Sequence, residues 1–101
     1  MEKINNIEQL DFLLEKSEQV DCFISLNSNL RSSKSIWKQE DGKYTILNEI
    51  DDSEDNLTKD ELFDKQKTLV GEAIKKGSLF LYESALINLT DSEKEEFLKL
   101  K

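Results

Sequence analysis

Apolar residues recur at Ile4, Ile7, Leu10, Leu13 and Leu14, with Phe12 beside them. That spacing predicts an amphipathic helix of about twelve residues, with Asn5 or Asn6 as N-cap. The pattern then changes period. In "VDCFISLN", residues 20–27, Val20, Cys22, Ile24 and Leu26 fall on one side by alternation, which predicts a strand. "SNLRSSKS" is polar and basic and reads as a loop at its start. "SIWKQ", the Asp41-Gly42 pair and "KYTILNEI" predict a hairpin, because Asp-Gly suits the positive φ angles of a tight turn. Along its second arm Tyr44, Ile46 and Asn48 share one face, and Thr45, Leu47 and Glu49 the other.

Helical signals return in the second half. Thr58 followed by Glu61 makes a capping box for a short helix over "KDELFDKQ". "TLVGEAIKKG" predicts another, opened by Thr68 and stopped by Gly77. "SLFLYES" is almost wholly apolar and reads as a central strand. "ALINL" extends that strand or turns away. "TDSEKEEFLKLK" opens on cap residues and acids and closes on lysines, the polarity of a terminal helix. The predicted order is α-β-β-β-α-α-β-α. Consecutive hairpins favour an α+β domain: a small antiparallel sheet of three to four strands with helices packed on one face. With 101 residues, no proline, no repeat and no low-complexity linker, residues 1–101 read as a single domain.

Charge changes this picture at one place. The formal net charge is −8, and the segment "NEIDDSEDNLTKDELFD", residues 48–64, holds eight acids against Lys59 alone. These are Glu49, Asp51, Asp52, Glu54, Asp55, Asp60, Glu61 and Asp64, so a local −7 accounts for nearly the whole imbalance. Direct nucleic-acid binding is disfavoured, because phosphate contacts need clustered Lys and Arg. A cationic partner is the natural complement. Dispersed acids would serve solubility equally well, whereas a concentrated field steers a basic partner and can fit a groove built for phosphates. A solvated loop with no partner is the plainer reading of the same acids. Apolar Ile50, Leu57, Leu62 and Phe63 interrupt the run, and some of them must anchor it to the core.

Other chemistry is poorly supported. An EF-hand loop begun at Asp51 puts Asn56 where glycine is wanted and Leu62 where a bidentate glutamate is needed. No histidine is present, so no Ser-His or Cys-His pair exists, and no metal, cofactor or catalytic residue is expected. Gly42, Gly71 and Gly77 stand apart and form no phosphate loop. Cys22, the only cysteine, allows no intramolecular disulfide and reads as a small buried hydrophobe. Arg31, Lys34 and Lys38 form a basic stretch beside Trp37. They contact an anion or lie near the chain's own acids. Neither a signal segment nor an apolar run long enough to span a membrane is present, and the expected location is the cytoplasm.

"FISLNSNLRSSKSIWK", "YTILNEIDDSEDNLTKDEL" and "GEAIKKGSLFLY" together resemble small accessory proteins encoded by phages and prophages of low-GC Gram-positive bacteria. The resemblance covers roughly residues 22 to 82 and carries no catalytic signature. It implies action inside an infected host cell. Small acidic α+β proteins of this kind include anti-CRISPR proteins that block a nuclease by occupying its DNA-binding cleft. The reading that follows is a non-enzymatic binding protein whose Glu49, Asp51, Asp52, Glu54, Asp55, Asp60 and Glu61 occupy a basic surface on a host nucleic-acid-handling protein, such as a nuclease, as phosphate substitutes. The alternatives are a structural or assembly protein that homodimerises through exposed strand edges, and an immunity-type protein that neutralises a cationic toxin.

Overall fold

A computed structural model of the chain describes residues 2–49, 52–64 and 68–100. Helix α1 (Ile7–Lys16) leads into four strands, β1 (Gln19–Asn27), β2 (Leu30–Lys38), β3 (Tyr44–Glu49) and β4 (Asp52–Leu57). Helices α2 (Lys59–Asp64) and α3 (Val70–Lys76), strand β5 (Leu79–Leu81), a 3-10 turn (Glu83–Ala85) and helix α4 (Asp91–Lys99) follow. The five strands make one antiparallel sheet in the order β4-β3-β2-β1-β5. The fold is α+β, with one strand more than the sequence pattern predicts.

The caps explain where the helices start. Asn6 Oδ1 accepts from the Gln9 amide at 2.9 Å and opens α1. The predicted capping box at α2 forms, and α4 carries a second. Thr58 Oγ1 accepts from the Glu61 amide at 3.1 Å while Glu61 accepts from the Thr58 amide at 3.0 Å. Thr90 and Glu93 repeat the arrangement at α4. Gly77, at φ +68, ends α3.

All four helices pack on one face of the sheet. Ile7, Leu10, Leu13 and Leu14 of α1, Leu62 of α2, Val70 and Ala73 of α3 and Phe97 of α4 join Val20, Cys22, Ile24, Ile36, Tyr44, Ile46, Leu57, Leu79 and Leu81 in a single core. Among the described residues, no helix lies on the opposite face. There Phe23 is buried outside that core, its ring 5.6 Å from Phe80 and 4.8 Å from Tyr82, with the Arg31 guanidinium 4.3 Å above it.

Four sequence expectations need correction. "SNLRSSKS" is not a loop beyond Ser28 and Asn29: Leu30–Lys38 pairs with β1 along its length. The backbone ladder organises this stretch although its side chains lack a strand signal. The acidic stretch 52–57 is itself a strand, paired to β3. At the 39–43 turn only Gly42 takes positive φ, with Gln39 bonding Lys43 across the loop at 2.7 Å. Strand β5 is not central in the sheet order. It reads as central because residues 2–4 cover its outer side, through Ile4 to Leu79 at 2.9 Å and Leu81 to Glu2 at 2.8 Å.

Candidate functional site

The acidic segment forms the outermost strand of the sheet and the helix that follows it. Leu57 and Leu62 are fully buried and Phe63 half-buried, so they anchor the segment as its apolar residues predict. Ile50 and Asp51 lie outside the described residues. Glu49 ends β3 with its backbone in register with Asp52. Asp52 and Glu54 are half-buried on β4, and Glu54 stands opposite Ile46 on the helix-bearing face.

Beyond Glu54 the ladder slips. Between the pairs Tyr44 with Leu57 and Ile46 with Glu54, one β3 residue, Thr45, faces two on β4, Asp55 and Asn56, and Asn56 takes φ 61. This is a β-bulge, and it leaves Asp55 exposed. Gln39 clamps it. Its Oε1 accepts from the Asn56 amide at 2.7 Å and its Nε2 donates to Asn56 Oδ1 at 3.0 Å. Asp60 and Glu61 are exposed in the first turn of α2, and Asp64 in its last. The fold thus brings Asp52, Glu54, Asp55, Asp60 and Glu61 onto one continuous edge. It does not align them in a single solvent-facing row: Asp52 and Glu54 are partly enclosed, and Glu61 closes a capping box.

Two cations near this edge, Lys59 and Lys38, are engaged with Asp11 of α1. Lys59 Nζ, the segment's one positive charge, lies 2.9 Å from Asp11 Oδ2 on α1. Lys38 Nζ lies 3.5 Å from Asp11 Oδ1. The Tyr44 hydroxyl donates to the same oxygen. Burial acts to raise the Asp11 pKa, but the hydrogen bonds from Tyr44 and Lys59 and the charges of both lysines outweigh it and hold it below the ordinary value. The Asp11 hydrogen bond and charge hold Lys59 above its own ordinary value. Arg31 lies over Phe23 on the other side of the sheet. Lys34 is buried and donates to Asn48 Oδ1 at 3.0 Å.

Nothing in the residue pattern marks the Asp11, Lys38, Tyr44, Lys59 cluster beforehand. Its one sequence trace is an acid set between the apolar pair Leu10 and Phe12 of α1. The Phe23, Phe80, Tyr82 group had a clearer trace: three aromatics on the opposite parity from Cys22, Leu79 and Leu81.

Protein-family models, curated proteins and solved structures yield no match to this chain. The site therefore stands on its own geometry. Among the described residues, no group of three or more Cys, Asp or Glu side chains is arranged to hold a metal ion, and no helix is long and apolar enough to cross a membrane. Cys22 is buried, and burial, with the Asp21 charge adding to it, pushes its thiol up to about 12. A thiol so placed is packing material, not a nucleophile.

Proposed function

We propose that the chain is a non-enzymatic binding protein that docks a basic, nucleic-acid-handling host protein through its acidic sheet edge. Its carboxylates stand in for phosphates there, as in an anti-CRISPR-like inhibitor. One observation carries the reading: six acids of a segment with a local −7 lie on β4 and α2 at the outer edge of the sheet, with Asp55, Asp60 and Asp64 exposed there. A concentrated negative field of this kind accelerates encounter with a basic partner and selects for cations. The phage-like sequence pattern supplies the host-cell context and the choice of a nuclease as partner.

Pairing two β4 edges in a homodimer fits less well. It would set Asp52, Glu54 and Asp55 of one copy against the same acids of the other, and like charges across a ladder are destabilising.

The test is affinity for a host nuclease with a basic DNA groove, measured from low to high salt. Asp55→Asn with Asp60→Asn should weaken binding by roughly tenfold or more at low salt and flatten the salt slope. Glu95→Gln with Glu96→Gln changes the net charge equally on α4 and should leave affinity near wild type. Equal effects from the two pairs, or none from either, would remove the β4–α2 edge as the contact.

A further inference from the structure

A second surface lies on α4 and the turn before it, where Ile87 is 73% exposed and Leu98 42%. Beside them is an apolar groove of about 100 Å³ lined by Glu2, Leu86, Lys94, Phe97 and Leu98. It has room for a single aliphatic side chain. Ile87 follows Leu86 directly and projects from a tight turn fixed by Leu86 to Glu83 at 3.0 Å and Leu89 to Leu86 at 3.2 Å, with Leu89 buried beneath. Projection and recess thus occur side by side on one patch, and the backbone turn that carries the projecting side chain is hydrogen-bonded on both sides of it.

We propose that this patch is the isologous interface of a homodimer, in which Ile87 of each copy enters the Leu86–Phe97–Leu98 groove of the other. Two features favour a second copy as the occupant. The first is the match of one aliphatic projection to one aliphatic-sized recess, which a two-fold axis uses twice. The second is the rim, which carries one acid and one base, so that a two-fold sets Glu2 of one copy against Lys94 of the other. Neither Glu2 nor Lys94 is in an ion pair among the described residues. The β4 edge takes no part, so the dimer presents two acidic edges to partners.

The experiment is sedimentation equilibrium of the full chain across a wide concentration range. Wild type should show a reversible monomer–dimer equilibrium. Ile87→Asp and, separately, Leu98→Asp should shift it to monomer. Both residues are exposed, so the fold survives, and circular dichroism verifies this. Lys94→Glu should weaken association roughly tenfold through like-charge contact, and adding Glu2→Lys should restore it. Leu26→Asp, an equally exposed leucine on the β1–β2 hairpin, should change nothing. A wild type that remains monomeric at the highest concentration overturns the proposal. So does a dimer that survives both Ile87→Asp and Leu98→Asp.

Discussion

Lys59 Nζ sits 2.9 Å from Asp11 Oδ2, joining the first turn of α2 to the middle of α1. The same carboxylate accepts the Tyr44 hydroxyl and neighbours Lys38, so one side chain ties two helices to the β2–β3 hairpin. The contributions differ in size. Lys59 is half exposed, and Lys59→Met should destabilise the fold by under about 1 kcal/mol. Asp11→Ala strands the buried Tyr44 hydroxyl and should cost about 1–3 kcal/mol. Asp11→Asn keeps an acceptor and should fall between them. Urea denaturation at neutral pH measures the order, and a Lys59→Met effect as large as that of Asp11→Ala would refute it.

The cluster also has a pH signature. In the folded chain the Asp11 pKa is depressed, so below neutrality the unfolded chain binds its proton first. Stability from this group is fully present above the unfolded value of about 4 and is lost as pH falls through the lower folded value. Stability measured between pH 5 and 3 should therefore fall more steeply in wild type than in Asp11→Asn. Tyr44 gives the alkaline counterpart. Burial first, then the hydrogen bond to and charge of Asp11, raise its phenol. Its contribution is present below about pH 10 and declines above it, and Tyr44→Phe should remove that decline.

The part of this molecule legible in its sequence is the part fixed by local pattern. Ile7, Leu10, Leu13 and Leu14 marked the buried stripe of α1, whereas Ile4 lies before the helix in the segment that bonds β5, and Thr58 with Glu61 marked the start of α2. Strand β2 was half hidden, because Leu30 to Ser35 has little β-propensity and is held by the ladders of β1 and β3. β4 was hidden altogether. Six residues, three of them acidic, look like a loop until β3 offers its edge, and only Leu57 of the six enters the core. Density of charge was readable at the candidate site, but its orientation was not. The enclosure of Glu54 and the exposure of Asp55 follow from a bulge that depends on Gln39, seventeen residues away from Asn56 in the chain.

Gly71 marks a contact that no other residue can make. A Cβ there would sit 1.9 Å from the carbonyl oxygen of Phe63, where α3 crosses the end of α2. Backbone cannot yield as a side-chain tip can. Gly71→Ala should destabilise by about 3 kcal/mol or more, at the upper end of overpacking effects. Gly42 is the contrast: it has open space around it and only its φ of +87 to strain an alanine. Gly42→Ala should cost about 1 kcal/mol. The ranking, read from urea midpoints, separates steric from dihedral strain at two glycines of one chain.

The bulge at Asn56 links stability to the acidic edge. Asn56 holds φ 61, which glycine adopts freely and alanine does not. Asn56→Gly keeps the backbone amide bond to Gln39 and loses only the side-chain bond, so it should be nearly neutral. Asn56→Ala should cost about 1–2 kcal/mol. Gln39→Ala removes both partners of Asn56 and should loosen the bulge that turns Asp55 outward. In affinity measurements with a basic partner, Gln39→Ala should then weaken binding although Gln39 carries no charge. The Gln39→Ala effect should also shrink in an Asp55→Asn background, because the two act through the same carboxylate. Full additivity of the two changes would mean that the bulge does not position Asp55 for binding.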